Sequence, residues 1–362
     1  MIHIAIGTKA QFIKMVPVIQ ELQRRSIKFN LIDLGQHSLI TENLRKEFGI
    51  KEPDICLSKG RNVSHLFKGL MWLIRLFFKG FNIKWIKENV FMNRKGVCLI
   101  HGDTVSTLLA LYLAKCAGLK TAHIEAGLRS YNYFEPFPEE ALRVISMRFS
   151  DILFVPSRWA LDNLKKMELL KKTILLPYNT SFEATFYSLN KKVNLNLNLE
   201  KFALFTVHRM ENIFSKKRLE FILSLISKIT NKLPVVFIQH EPTINQIRRF
   251  RLQEKLNEIK NIYFFKILSH AHFIHLINSC QFLVTDGGSI QEEAFYLGKP
   301  CLLLRRYTER IEGLGENVLL SKFDEKKIKY FINNYKEFDR KKAVFDGDSA
   351  SLVIVNSLEK YV

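Results

Sequence analysis

Polar groups suited to proton transfer sit at the ends of apolar runs in this sequence. Asp103 follows the run Val97–His101, inside Gly102-Asp103-Thr104-Val105-Ser106-Thr107. A glycine there lets the backbone turn, and the hydroxyls suit the cap of a following helix, a role open to Asp103 itself. Glu125 closes a second run, in His123-Ile124-Glu125-Ala126-Gly127-Leu128-Arg129, and Pro136-Phe137-Pro138-Glu139-Glu140 comes shortly after. A loop-fixing Glu125–Arg129 ion pair, with Glu139 and Glu140 as first-turn helix acids, would be the purely structural account. Brought together in a cleft, Asp103, Glu125 and Glu139 have the chemistry to divide acid and base roles, provided their environments separate them.

The second half carries groups suited to an anion. His208 and Arg209 follow an apolar run in Thr206-Val207-His208-Arg209-Met210-Glu211-Asn212. Either side chain can donate to a phosphate, although a lone histidine is more often a satisfied core residue. In Thr285-Asp286-Gly287-Gly288-Ser289-Ile290-Gln291-Glu292-Glu293 a strand ends, Gly287, Gly288 and Ser289 turn the chain, and a helix begins. That arrangement offers backbone N–H groups and a helix N-terminus to a diphosphate. Glu293, about one turn further on, suits sugar hydroxyls, and Arg305-Arg306-Tyr307-Thr308-Glu309-Arg310 adds positive charge. The pattern is neither a P-loop nor a dinucleotide-binding glycine turn.

These groups need a scaffold that delivers them to strand ends. Short apolar runs alternate with helical periodicity, which predicts parallel sheets flanked by helices. Strands are expected at Ile2–Ile6, Asn30–Leu34, Val97–His101, Thr121–Glu125, Ile152–Val155 and Ile174–Leu176. In the second half, which Ile174–Leu176 opens, they are expected at Ala203–Val207, Val235–Gln239, Tyr263–Phe265, Phe282–Thr285 and Pro300–Leu304. The 362-residue length calls for two domains. The break at Pro177-Tyr178-Asn179-Thr180 predicts units 1–177 and 178–362, with the last helix packing back on the first unit. NKKVNLNLNL, residues 190–199, is expected to be a surface loop.

Composition narrows the function classes. Hydrophobic residues at 47% and charged residues at 25% describe a globular chain. Five cysteines without C-x-x-C spacing predict reduced thiols, no metal site and a cytoplasmic setting. The start MIHIAIG lacks the features of a signal peptide. Fifty-five basic against 35 acidic residues, a net +20, favour an anionic partner. No aromatic-basic RNA motif or zinc spacing accompanies that charge, so nucleic acid is not the expected partner.

The ordered set Gly7-Thr8-Lys9, Ile13-Lys14-Met15, Gly35-Gln36-His37, Gly102-Asp103-Thr104, Glu125-Ala126-Gly127-Leu128-Arg129, Pro136-Phe137-Pro138-Glu139-Glu140, His208-Arg209-Met210-Glu211-Asn212, Ile290-Gln291-Glu292-Glu293-Ala294 and Thr308-Glu309-Arg310 resembles the non-hydrolysing UDP-N-acetylglucosamine 2-epimerases. The resemblance implies two Rossmann-like doubly wound domains facing a cleft, a glycosyltransferase-B-like α/β fold, working without metal or other cofactor. It implies inversion at C2 of a UDP-linked N-acetylhexosamine by UDP elimination and re-addition, for cell-surface polysaccharide synthesis. By the same resemblance Asp103, Glu125 and Glu139 are the acid–base candidates, with His208 near the departing diphosphate. Gly287, Gly288 and Ser289 would hold phosphate, Glu293 the ribose, and Lys9 and Arg310 the diphosphate charge. Lys14, His37, Arg129 and Arg209 complete the substrate-binding set.

Three positions depart from the family pattern. Lys9-Ala10-Gln11 stands where Arg-Pro-Glu is usual, and Asp286-Gly287-Gly288-Ser289 where Asp-Ser-Gly-Gly is usual. Glu312-Gly313-Leu314-Gly315-Glu316-Asn317 replaces a Pro-Glu-Ala pattern. The segment Leu66–Lys87 (LFKGLMWLIRLFFKGFNIKWIK) lies outside the resemblance. Lys68, Arg75 and Lys79 share one helical stripe among apolar residues. A buried helix, a homodimer interface and a helix lying in a membrane surface all fit, whereas a transmembrane span does not. The membrane reading brings an alternative substrate, a polyprenyl-diphosphate-linked sugar, for epimerisation or glycosyl transfer. A hydrolysing epimerase is a further alternative.

Overall fold

The computed structural model describes residues 1–34, 38–57, 78–133 and 138–361. Its contacts divide the chain into two compact units, Met1–Ala184 with Phe345–Val362, and Thr185–Val344. The change of unit thus falls at Ala184, within a helix that begins just after the Pro177–Thr180 break.

The first unit is built on a seven-stranded parallel sheet. Its strands are β1 (Ile2–Ile6), β2 (Phe29–Asp33), β3 (Ile55–Cys56), β4 (Val97–His101), β5 (Lys120–Ile124), β6 (Ile152–Val155) and β7 (Thr173–Leu175), in the order β3-β2-β1-β4-β5-β6-β7. The helices that position its functional groups are α1 (Lys9–Arg24), α2 (Val105–Cys116) and α3 (Glu139–Phe149). Alternate residues of one strand reach opposite faces. Ile2, Ile4 and Ile6 join the core beneath α1, while Ala5 joins Cys98 and Ile100 in the core beneath α2. Strands covered on both faces are apolar throughout, which is why they are visible in the sequence. The C-terminal helix Ala350–Leu358 buries Ala350, Ile354, Val355 and Leu358 in the α1-side core.

The second unit has a six-stranded parallel sheet. Its strands are β8 (Ala203–Thr206), β9 (Val235–Gln239), β10 (Ile262–Lys266), β11 (Phe282–Thr285), β12 (Cys301–Leu303) and β13 (Val318–Leu320), in the order β10-β9-β8-β11-β12-β13. In both sheets the strand order reverses beside the first strand, between β1 and β4 and between β8 and β11. Such switch points separate the loops at the strand ends and open a crevice where ligands bind. Every candidate group singled out after β1, β4, β8 or β11 therefore sits at a switch point.

Strand ends shift by one residue at several places, and two short strands, β3 and β13, escape the sequence pattern because two or three residues show no periodicity. Residues 191–200 form no regular element, yet they are not simply a surface loop. Leu195, Leu197 and Leu199 pack against the second unit's core while Asn194, Asn196 and Asn198 face outward. Of the cysteines, Cys98, Cys280 and Cys301 are buried, Cys116 is half-buried and Cys56 exposed. His37 and residues 66–77 lie outside the described residues. Among the described residues no helix is long and apolar enough to cross a membrane.

Candidate active site

In the first unit, two helix starts are locked together at the switch point. Thr8 caps α1 by accepting from the Gln11 N–H, and Gln11 returns the bond. Gln11 Oε1 accepts from the N–H groups of Gly7 and Thr8 at 2.9 and 3.1 Å. Its Nε2 donates to the His101 carbonyl and to the Thr107 and Thr104 hydroxyls at 2.8 to 2.9 Å. One amide thus ties the turn after β1 to the turn after β4, using donors that the family's usual Glu lacks. Gly7 is needed for this approach, because a Cβ there would lie 2.3 Å from that of Ser106. Lys9 occupies the first position of α1 and is half-buried.

Glu125 stands at the end of β5 with φ 68°, a left-handed conformation that costs an L-residue about 1–2 kcal/mol. It is 4% exposed and accepts from Lys14 Nζ at 2.6 Å, with His101 Nε2 at 3.3 Å from the same oxygen. Lys14 is equally enclosed, so each charge is the counter-charge of the other. The Glu125–Arg129 pair considered from sequence does not form. Arg129 Nε instead donates to Glu140 Oε1 at 2.5 Å.

Glu140 is fully buried and clamps the following loop. It accepts from the Ser130 N–H at 3.0 Å and from Arg143 Nη1 at 2.7 Å. Burial pushes its carboxyl up, but the Ser130 N–H, Arg129 and Arg143 outweigh that and hold it below the usual range. The other Nη of Arg143 donates to Asp103. The structure therefore joins Asp103 to Glu140 through one buried guanidinium. Glu139 opens α3, half-buried beside this cluster.

Arg143, Glu140 and His101 were not singled out as site residues from sequence. The legible signal for Arg143 was its helical spacing, three and four residues beyond Glu140 and Glu139.

His101 and His123 are fully enclosed, and burial pushes their pKa values down to about 3 and about 4. His123 Nε2 lies 2.7 Å from the Gly102 carbonyl. His3, within β1, is pushed down to about 4 by burial as well. Each stays neutral when folded and takes up a proton when unfolded near pH 6.5. Their contribution is fully present above pH 6.5 and is lost as pH falls towards the folded values. Urea midpoints are expected to drop between pH 7 and 5.5, above the ordinary carboxylate range, by about 1 kcal/mol per histidine. Equal midpoints would show that these rings are already charged in the folded chain.

In the second unit, Asp286 organises the switch point. It is wholly buried and accepts from the His208 and Arg209 N–H groups, each at 3.0 Å, and from Asn212 Nδ2 at 2.9 Å. The His208 ring stacks on His240 with centroids 4.6 Å apart, and its Nδ1 is 3.5 Å from Asp286. Desolvation of that ring, opposed by Asp286, sets its pKa below the usual value. Beyond β11 a helix, α4 (Gly288–Tyr296), starts at Gly287 with no side-chain cap. Ser289 lies half-buried in its first turn.

A layer of four nearly buried charges backs this helix start. Arg310 Nη1 lies 2.7 Å from Glu292, and Arg305 Nη2 2.9 Å from Glu309. Arg209 reaches within 3.9 Å of Glu309. A Cβ at Gly288 would come 2.7 Å from Glu309 Oε1 and 3.1 Å from Arg310 Nε, so any other residue there would displace this charged layer. Gln291 holds the arginine loop by donating to the Glu312 carbonyl at 2.9 Å and accepting from the Thr308 hydroxyl at 2.9 Å. Glu293 is buried one turn along α4.

The family model described as UDP-N-acetylglucosamine 2-epimerase matches residues 20–359. The chain belongs to this family. Members of the UDP-N-acetylglucosamine 2-epimerase family are isomerases of a nucleotide-linked sugar at C2, and the chain's two parallel-sheet units are of its glycosyltransferase-B-like fold class. The chain is 32% identical over 335 residues to a UDP-N-acetylglucosamine 2-epimerase of Methanococcus maripaludis, covering 87% of this chain and 86% of the relative. A Campylobacter jejuni UDP-N-acetylglucosamine 2-epimerase is 32% identical over 338 residues, covering 88% and 84%. Among solved structures, the Methanocaldococcus jannaschii UDP-GlcNAc 2-epimerase in complex with UDP-GlcNAc and UDP superposes with a TM-score of 0.83 at 26% identity, covering 100% of this chain and 99% of that one. The Neisseria meningitidis enzyme bound to UDP-GlcNAc gives the same score and identity over 99% of both chains.

Proposed function

We propose that this epimerase-family chain interconverts UDP-N-acetylglucosamine and its C2 epimer through elimination and re-addition of UDP, with Asp103, Glu125 and Glu139 as the acid–base set. The C1–O bond breaks and UDP leaves with the electron pair. A carboxylate takes the C2 proton as a C1–C2 double bond forms. A proton is then delivered to the opposite face of C2, and a UDP oxygen closes on C1. Two faces require two positioned groups, and a departing dianion requires preorganised donors.

The single observation that carries this reading is Glu125. A buried carboxylate, kept in a strained backbone conformation and paired with Lys14, is an expensive arrangement that packing alone does not call for. Gly287, Gly288 and Ser289 with the start of α4 are the proposed phosphate site, His208, Arg209 and Arg310 its side-chain donors, and Glu293 the ribose acceptor. Lys9, Lys14, His37 and Arg129 belong to the same proposed substrate set. The structures bound to UDP-GlcNAc and UDP in relatives support this choice of ligand. Incubation with UDP-N-acetylglucosamine in D2O tests it. Deuterium at C2, appearing with the epimeric nucleotide sugar, is the expected result. A well-folded enzyme that exchanges nothing would sink the reading.

We also propose that the chain rests on an acidic membrane surface. Phe78, Phe81 and Ile83 are 64%, 68% and 51% exposed, and Lys79, Lys84 and Lys87 lie among them. Apolar rings between bases suit an acyl–headgroup boundary. Co-sedimentation with vesicles containing acidic phospholipid is expected to fall at least several-fold on replacing Phe78 and Phe81 by Asp. Unchanged sedimentation would show that those rings do not carry the chain to a membrane.

A further inference from the structure

His270 lies wholly inside the second unit, at the start of the helix His270–Ser279, and the motifs do not include it. It is 4% exposed, between two buried side chains from distant parts of the chain. The Ser188 hydroxyl is 2.7 Å from His270 Nδ1, and Glu293 Oε1 is 3.2 Å from His270 Nε2. Ser188 is fully buried, and the Glu293 side chain is 10% exposed.

The protons in this chain of three are determined by the groups at its ends. An ionised carboxylate can only accept, so Nε2 must carry the proton shared with Glu293. On a neutral ring Nδ1 is then the acceptor, and the Ser188 hydroxyl 2.7 Å away suits that tautomer by donating to it. One oxygen of Glu293 is thereby held. The other, Oε2, is buried and has no hydrogen-bond partner among the described residues. A buried acceptor left without a donor is costly, and two lone-pair directions on one oxygen match the hydroxyl donors of a vicinal diol.

We infer that Ser188 and His270 are positioning residues for Glu293, orienting its free oxygen towards the ribose hydroxyls of the nucleotide. This rests on the proposed reading of Glu293 as the ribose acceptor. His270 touches no ligand atom itself. Its work is to stop the Glu293 carboxylate rotating, so that the oxygen facing the sugar is presented without a further ordering cost at binding.

Titration calorimetry with UDP and with 2′,3′-dideoxy-UDP separates this role from general packing. His270→Phe keeps a ring but removes both nitrogens. It is expected to weaken UDP about 10-fold, as one charge-assisted hydrogen bond's orientation is lost, and to weaken the dideoxy ligand less than about 2-fold. His270→Gln, which restores one N–H donor, should recover part of the UDP affinity. Ser188→Ala, the milder change, should lower UDP affinity about 3-fold with the dideoxy ligand again unaffected. The KM for the UDP-sugar should rise with kcat nearly unchanged, since the ribose is held alike before and during the chemistry.

Equal weakening of both ligands by His270→Phe and Ser188→Ala would overturn the inference, as would UDP affinity unchanged in both. Unmodified enzyme that binds UDP and dideoxy-UDP equally would remove Glu293 from the ribose and the inference with it. Unmodified enzyme with no affinity for UDP would instead overturn the proposed function, a failure visible before any variant is made.

Discussion

Glu125→Gln is expected to reduce deuterium exchange at C2 of the UDP-sugar by about 10²–10⁴-fold, the usual worth of a positioned acid or base. UDP affinity should stay within a few-fold of the unmodified enzyme, because the proposed phosphate site at Gly287, Gly288 and Ser289 belongs to the other unit. The substitution is nearly isosteric and keeps the backbone at φ 68°, so the change is one of protonation chemistry. It also removes the carboxylate charge that lies 2.6 Å from Lys14, which is 4% exposed. Breaking one partner of a buried pair can cost about 3–5 kcal/mol. The paired variant Glu125→Gln with Lys14→Met removes the lysine charge as well. Stability should recover while exchange stays absent, which distinguishes lost chemistry from lost folding. Exchange that survives in both variants would move the essential proton transfers to Asp103 and Glu139.

Asp286→Ala should give a large stability loss in the second unit. It strands the His208 and Arg209 N–H groups and the Asn212 amide, all of which now donate to one fully buried carboxylate. With about 1–3 kcal/mol for each buried donor left unmade, partly offset by relaxation, a loss of about 3–5 kcal/mol is expected. UDP affinity should fall with it, because the same carboxylate fixes the loop that carries His208 and Arg209. Asp286→Asn keeps one carbonyl acceptor and should fall between the two. The urea midpoint and UDP titration calorimetry of the three proteins check this order. An Asp286→Ala enzyme as stable as the unmodified one would mean that water replaces the carboxylate.

The parallel sheets were legible because their strands are buried on both faces and therefore written as unbroken apolar runs. Ile2–Ile6, Val97–His101 and Phe282–Thr285 need no knowledge of the fold to be seen. The candidate groups were legible for a related reason. In such sheets the polar residues that interrupt apolar runs fall at strand ends, where the chain emerges from the core. Asp103, Glu125, His208 and Asp286 all follow that rule.

Pairing was not legible. Whether Glu125 meets Arg129 or Lys14 depends on how α1 lies across β1 and β5, over a separation of 111 residues for the pair that forms. Nothing local distinguishes Glu139 from its neighbour Glu140, yet helix geometry points Glu140 into the Arg129–Arg143 cluster and leaves Glu139 at the helix start. The Ser188–His270–Glu293 chain joins residues 82 and 23 positions apart and has no motif at all. Gln11, a departure from the family pattern, proves to be the bond between two switch-point turns.

The sequence by itself determined the layered α/β class, the strand ends at which chemistry could occur, the excess of positive charge and the family resemblance. These follow from periodicity and from residue types read in order, both of which are local. Only the tertiary structure decided which charges neutralise one another, which histidines are sealed from protons and that one buried oxygen of Glu293 has no donor among the described residues. Those outcomes depend on distance and burial, and a one-dimensional chain specifies neither until distant elements pack together.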